Sequence, residues 1–565
     1  MRTIITLLLL VLMQLLTAQE PVLLQQAEDY YRSKNWKSAI STYQKVTEVN
    51  PYNGRYWYRL AVAALKDKQF DIAIQAGEKA AALYALPGNA MYNLACAYVQ
   101  NGQTDKALDW LEKAYDNDIN DVEQIIKDDD LKTLHDTPRF KRLVGRTQTT
   151  FANRDEAWRY DLQYLINVFE KYHIHLFHDV TPDAWQKAGE KLYNAIPAMT
   201  DYEVAMAMAQ LVAMVNDGHT NFFPYSNGKL NRLPIEPYLF QDGLFIKAAT
   251  KAYAHLAGKK IISIGGIAAA DLLQKSYEYI GSDNEWQDKM MSPLVLQTAE
   301  FYCIHGTTKD CKNISIVVQH ANGKTEQVKL ETFPWKLDNH WEMLNPSGKD
   351  WITANTAASN PLPLYLQHPE KNYWMQFLED QKILYFQFNQ VVNQFNHVEN
   401  KPEETIEAFS ERLLKTIKEN PVDALVVDIR NNTGGNGFLA LPLIKALIKS
   451  EQINQRGKLF IITGRRTFSA AMDFACKLEL WTNALFVGEP TGSKPMNYGE
   501  HNPIVLPYSG LVASYSSQYF QWGYNSEDKR PFLAPDIAAE LHSSEYFNNI
   551  DPAMEAILKY LKKAN

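Results

Sequence analysis

The spacing of apolar and polar positions changes several times along the chain. From Asp155 to about Val215, AWRYDLQYLINVFEKY and DYEVAMAMAQLVAMV hold apolar residues three and four apart, which predicts amphipathic helices. They run into VNDGHTNFFPY, which reads as a helix end followed by a turn. Between Leu233 and Glu331 the apolar runs shorten to LFIKAA, KKIISIGG and ISIVVQH, which predict strands. GKKIISIGGIAAADLLQK reads as a strand, a tight glycine turn and a helix. Residues 332–370 are polar with scattered aromatics and predict a loop region. From Lys382 onward the pattern is regular: ILYFQF is a strand, ETIEAFSERLLKTIKEN a helix, DALVVDI a strand and GFLALPLIKALIKS a helix. KLFIIT, the helical AAMDFACKLELW and ALFVGEP follow. Apolar strands alternating with helices predict an α/β layered domain, whose ligands collect at the C-terminal ends of the strands.

Upstream the chain repeats itself. Ala27, Ala61 and Ala95 are 34 residues apart, and so are Ala39, Ala73 and Ala107. Small residues held in register at that period are the tetratricopeptide pattern, in which each unit is a helix pair that packs closely through those positions. Three repeats over residues 19–120 predict an all-α solenoid with a concave face, either a dock for a protein or peptide or a passive arm. The charged helical stretch DVEQIIKDDDLKTLHDTPRFKRLV predicts a capping linker over residues 121–154.

The first 18 residues pair Arg2 with an apolar run from Ile4 to Leu16 and end on the small Ala18. That is the pattern of a secretory signal peptide, and the run is short for a membrane span. No Cys follows it, so a lipid anchor is not expected. The mature protein is expected to be exported, periplasmic or secreted, with no stable membrane insertion. At 565 residues, 46% apolar and 22% charged, the chain should form several soluble domains, and a net charge of −8 gives no basic footprint for nucleic acid. Of four cysteines, Cys303 and Cys311 lie eight apart in a loop-like stretch and can pair as a disulfide in an oxidising compartment. Cys96 and Cys476 sit in apolar helical settings and read as packed thiols. No spacing points to a metal site or an organic cofactor.

The candidate chemistry gathers at three turns of the α/β region and one turn before it. In TGRRTFSAAMDFA, Ser469 stands between a core strand and a helix, as an N-cap or as a nucleophile. VVDIRNNTGGNG follows another strand, and Gly434 and Gly435 allow backbone N–H groups to point into a site, or simply form a tight turn. VGEPTGSKP places Lys494 25 residues after Ser469. A lysine acts as a base only if its surroundings lower its pKa from about 10.4. DGHT puts His219 on a turn, and imidazoles, which titrate near 6.5 as a class, are the natural bases for a serine.

DIRNNTGG, TFSAAM and VGEPTGSK in that order, with DGHT before them and APDI (Ala534 to Ile537) after, resemble the tail-specific (C-terminal processing) protease and tricorn-core serine peptidase superfamily over residues 155–560. The resemblance implies a helical cap (residues 155–225) and a Clp protease/crotonase-like α/β core (376–562), while the residue pattern between them reads as a β-rich, weakly PDZ-like region (226–335) and a loop region (336–375). It implies hydrolysis through a serine acyl-enzyme, with Ser469 as nucleophile and an oxyanion hole from Ala470 N–H with Gly434 or Gly435 N–H. Two modes of activation exist in the superfamily, and this chain carries parts of both. Lys494 matches the lysine of the tail-specific branch, and His219 the histidine of the tricorn-like branch. His219 is favoured, because imidazole needs almost no pKa change to work near neutral pH. Gly218 stands where tricorn has a helper serine, and Met472 replaces the Glu of the usual S-A-S-E. The acid expected before APDI has no clean match; Glu527 or Asp528 is nearest, with Glu500 behind them. The expected function is an exported serine endopeptidase acting on unfolded proteins or peptides, with no cofactor and with the repeats delivering substrate or holding a protein partner. The alternative is an inactive relative that binds peptides or ligands, or a tetratricopeptide scaffold.

Overall fold

The computed structural model describes residues 21–564 apart from 84–85, 116, 118, 120–121, 145–150, 307, 336–349 and 397–400. The expected signal peptide, residues 1–18, lies outside the described residues. Contacts divide the chain into two compact units: the described residues up to Ala157 with Asn502–Tyr508, and Trp158–His501 with Ser509–Asn565.

The first unit is a helical array. Helices Trp36–Val49, Gly54–Lys66, Phe70–Ala82, Pro87–Gln100 and Thr104–Tyr115 pack each against the next. All six register alanines, Ala27, Ala61 and Ala95 with Ala39, Ala73 and Ala107, are buried, as close helix packing requires. Asn35 and Asn53 start two of the helices, each side chain accepting a backbone N–H of the first turn. The tail continues as Val122–Lys127, a 3-10 turn Asp129–Leu134 and Pro138–Leu143.

The second unit begins with helices. The long helix Arg154–Tyr172 crosses into it and is followed by Pro182–Ala195 and Asp201–Ala213, the last started by a reciprocal capping box between Thr200 and Glu203. A seven-stranded antiparallel sheet follows, in the order Trp351–Thr353, Gly243–Thr250, Lys260–Ile264, Asn313–Gln319, Thr325–Glu331. Ile235–Phe240 and Ile267–Ala268 pair beside it. Burial alternates residue by residue along Asn313–Gln319, as expected where one face of a sheet is covered. The segment read as loop holds more structure than its pattern suggests. Trp351–Thr353 joins this sheet, and Tyr373–Leu378 is the antiparallel edge strand of the next one. Residues 336–349 of that segment lie outside the described residues.

The α/β core is a six-stranded sheet in strict chain order: Tyr373–Leu378, Ile383–Phe388, Ala424–Asp428, Leu459–Thr463, Leu485–Gly488, Ile537–Ala538. From the second strand on, all pairings are parallel. Ile383–Phe388, Ala424–Asp428, Leu459–Thr463 and Leu485–Gly488 are buried along their whole length, which is why they read as continuous apolar runs. Their alternate residues feed two cores. Leu384, Leu425, Val427, Leu459, Ile461 and Phe486 pack under helices Ile406–Glu419, Leu441–Lys449 and Ala470–Trp481. Ile383, Tyr385, Val426, Phe460, Ile462 and Val487 pack on the C-terminal helix Pro552–Ala564 through Ala553, Met554 and Ile557. A third sheet orders Asn221–Phe223, Val512–Gln521 and Met496–Val505 side by side. It joins the strand that follows DGHT to the strand that follows TGSKP, with Asn221 opposite Ser514.

Candidate active site

Ser469 ends the turn between the strand Leu459–Thr463 and the helix Ala470–Trp481, with φ 53° and ψ −128°. A non-glycine residue there is strained by roughly 1–3 kcal/mol, so the surroundings must hold it in place. They do so through Thr467, whose hydroxyl donates to Ile429 O and accepts Gly464 N–H. Ser469 sits at the N-cap position, but its hydroxyl makes no capping bond. The N-cap reading of this residue is therefore corrected: among the described residues the side chain is uncommitted, in the turn that follows a central strand.

The glycine turn packs directly on it. A Cβ on Gly434 would lie 2.7 Å from Ser469 Cβ and 2.9 Å from Ala470 N, so only glycine allows this approach. Asn432, buried, ties the two turns together. Its carbonyl accepts Phe468 N–H, its Oδ1 accepts Gly434 N–H at 2.9 Å, and its Nδ2 donates to Phe388 O. That bond decides between the two glycines: Gly434 N–H is committed to Asn432. Among the described residues Gly435 N–H and Ala470 N–H form no hydrogen bond. Beneath this turn Arg430 forks onto Asp551 and bonds Asp428, which also accepts the Tyr385 hydroxyl, so the loop stands on a buried charge network.

His219 is buried, and its ring stacks on Phe468, the residue before Ser469, with centroids 4.4 Å apart. Its Nδ1 is enclosed and among the described residues has no hydrogen-bond partner. The DGHT turn is fixed from below by Asp217, which accepts His219 N–H, the Thr220 hydroxyl and a bond from His173 Nε2 at 3.1 Å. His173 Nδ1 accepts His175 N–H, so the neutral ring carries its proton on Nε2 and donates it to Asp217. Burial pushes the Asp217 carboxyl up, but the hydrogen bond from His173, joined by the ring's charge when it is protonated, holds it well below the usual carboxylate range.

Lys494 is half-buried, and among the described residues its ammonium makes no hydrogen bond or ion pair. The carboxylate that comes between the two candidate bases is Asp283, a residue with no part in any motif. Its Oδ1 accepts Gly218 N–H and its Oδ2 accepts the Ser493 hydroxyl. Burial raises the Asp283 carboxyl, against the pull of Lys494.

Neither Glu527 nor Asp528 is hydrogen-bonded or ion-paired to His219 among the described residues. Glu527 is exposed, with its backbone N–H on Asn525. Asp528 is held by Arg530, which also forks onto Glu479, in a surface loop. Glu500 is exposed. The place of the missing helper serine is also filled. A Cβ on Gly218 would lie 2.5 Å from Gln287 Oε1 and 2.9 Å from Phe468 Cε2. Gly218→Ser is accordingly expected to displace Gln287 or Phe468, costing about 1–3 kcal/mol in stability and about 100-fold in hydrolysis. Thermal unfolding and steady-state rates of the variant check this, and a wild-type rate would show that the serine fits.

Cys303 and Cys311 are joined as a disulfide, and Cys96 and Cys476 are buried free thiols. Among the described residues there is no cluster of three metal-ligating side chains.

A strained serine at the mouth of a parallel sheet, packed on a glycine turn with uncommitted amides, is a place for acyl chemistry, and the class this defines is the serine peptidases. The family follows from sequence comparison. Residues 383–538, from the first parallel strand to the last, match peptidase family S41, and residues 24–86 and 88–118 match tetratricopeptide repeats. The chain carries an S41 peptidase domain behind N-terminal tetratricopeptide repeats, and His219 and Asp283 lie outside the matched segment. No curated protein matches the chain in sequence. Among solved structures it is similar to mature CPAF complexed with lactacystin, at 11% identity and a TM-score of 0.50, over 73% of this chain and 97% of that one. It also matches the photosystem II D1 C-terminal processing protease at 14% identity and a TM-score of 0.34, over 71% and 97% of the two chains. Tricorn protease matches at 14% identity and a TM-score of 0.34, over 73% of this chain and 37% of that one.

Proposed function

We propose that the protein is an exported serine endopeptidase that cleaves unfolded proteins or peptides through an acyl-enzyme on Ser469. The observation that carries this reading is the backbone of Ser469, held at φ 53° with its hydroxyl uncommitted. Strain at one polar residue persists only where the surroundings over-determine it, and here they are built around that residue. In the first step Ser469 Oγ bonds to the scissile carbonyl carbon while His219 Nε2 takes the hydroxyl proton. Ala470 N–H and Gly435 N–H bind the oxyanion, each contributing about 3 kcal/mol. The imidazolium then gives its proton to the leaving nitrogen as the C–N bond breaks, and water releases the acyl group by the reverse proton path. The tetratricopeptide unit supplies a protein-binding surface for substrate or partner. Export is supported by the apolar run Ile4 to Leu16 and by the Cys303–Cys311 disulfide. No helix among the described residues is long and apolar enough to cross a membrane.

A non-catalytic peptide binder is the second reading. It is favoured by one observation, that among the described residues His219 Nδ1 meets no carboxylate. Intact-mass analysis after exposure to a fluorophosphonate, alongside casein cleavage, separates the two. The peptidase reading expects one adduct, mapped to Ser469, together with cleavage; an unlabelled, inert wild type favours the binder.

A further inference from the structure

Residues 281–287 precede the segment matched to the peptidase family by almost a hundred positions, yet they reach three separate parts of the site. Asp283 Oδ1 accepts Gly218 N–H at 3.1 Å, next to His219, and its Oδ2 accepts the Ser493 hydroxyl at 2.8 Å, next to Lys494. Gln287, also buried, donates from Nε2 to Gly218 O at 3.1 Å, and its Oε1 accepts Asp283 N–H at 2.7 Å. Asn284 starts the helix Glu285–Gln297 by accepting Trp286 and Gln287 N–H. Its Nδ2 donates to Thr491 O and Pro531 O, in the loops after the strands Leu485–Gly488 and Val512–Gln521. The turn is also in direct contact with DGHT, since a Cβ on Gly281 would lie 2.4 Å from Thr220 O.

Resting on the peptidase reading above, we propose that Asp283 is the acidic positioning residue of this site. Its buried carboxylate locks the DGHT turn against the TGSK loop and supplies the negative charge that favours a proton on the general base. Three features support this assignment over a purely structural one. Both hydrogen bonds to the carboxylate come from residues adjacent to a candidate base, one on each side. The charged groups that face it are Lys494, Asp217 and His219, the ionisable groups of the site itself. Finally, Gln287 occupies the space beside Gly218 where a helper serine would sit, so this segment replaces that device with a clamp of its own.

The test separates charge from scaffolding. Asp283→Asn keeps the acceptor for Gly218 N–H, and the Ser493 hydroxyl can rotate to accept from the new amide. Only the charge is removed. Asp283→Ala removes the acceptors as well. In the full-length protein, the rate of Ser469 labelling by a fluorophosphonate and the rate of casein cleavage are followed against pH. For Asp283→Asn the expected result is a fall of about 10- to 100-fold. The midpoint of the rising pH limb should move down by about 0.5 to 1 pH unit, because a lost anion makes protonation of the base less favourable. Wild-type rates and midpoint in Asp283→Asn overturn the proposal. So does a loss that tracks thermal unfolding in both variants while the midpoint stays in place. A wild type that is neither labelled nor active overturns the peptidase reading and this inference with it, a result distinct from a defect confined to the variants.

Discussion

Replacing Ser469 by alanine is expected to lower peptide hydrolysis by about 10⁴-fold or more and to abolish the fluorophosphonate adduct. The expectation is large because the alternative nucleophile, water, would have to be activated in a site shaped for a hydroxyl already in position. What survives is the contribution of the oxyanion donors and of binding, so the variant should retain measurable catalysis over solution. The same position also links activity to stability. At φ 53° and ψ −128° a Cβ is strained, and glycine is not. Ser469→Gly should therefore be as inactive as Ser469→Ala yet more stable by about 1 kcal/mol, the strain relieved less the entropy glycine loses on folding. Unfolding in denaturant, compared across wild type and both variants, checks this. Equal stability of Ser469→Gly and Ser469→Ala would show that the turn stores no strain, and would remove the observation on which the functional reading stands.

The parts of this molecule that could be read from sequence are those whose cause is local or periodic. The register alanines announce the repeats because close helix packing excludes larger side chains at Ala39, Ala73 and Ala107. The parallel strands announce themselves because both faces of the sheet are covered, leaving no polar alternation in ALVVD or LFIIT. The hairpin Met496–Val505 to Val512–Gln521 does not follow from the expected elements, although Pro507 and Gly510 mark its turn. Trp351–Thr353 is three residues long and becomes a strand only by pairing with Gly243–Thr250, which no local pattern encodes. Within the site, motifs located Ser469, His219, Lys494 and the glycine pair, whereas the assignment of work among them depended on tertiary contacts. Gly434 and Gly435 are equivalent in sequence, and a side chain two residues back takes the N–H of only one. The resemblance places the acid just before APDI, with Glu527 nearest. The buried carboxylate proposed above for that part is Asp283, 65 residues after Gly218 and 210 before Ser493. Its only local signal, S-D-N-E ahead of an apolar helix, is that of an ordinary helix start.

Removing the ring nitrogens of His219 is expected to cost about 10³-fold in hydrolysis, whereas replacing Lys494 should cost about tenfold or less. Both residues stand beside Asp283, so the difference must come from what each presents to Ser469. The imidazole is stacked on the residue that precedes the nucleophile, which places the ring beside the serine turn. An ammonium would first have to lose its proton before it could accept one from Ser469. The substitutions must separate proton transfer from packing. His219→Phe keeps a ring against Phe468 and removes both nitrogens, while His219→Ala removes the ring as well. Lys494→Met keeps the apolar stem of the lysine without its charge. If His219 is the base, the Phe and Ala variants fall together, and the pH dependence of the residual rate loses its rising limb near neutrality. If instead Lys494→Met is inactive and His219→Phe is near normal, the lysine is the base. The ring on Phe468 is then a wall of the site, and the chain activates its serine in the tail-specific manner despite its DGHT turn.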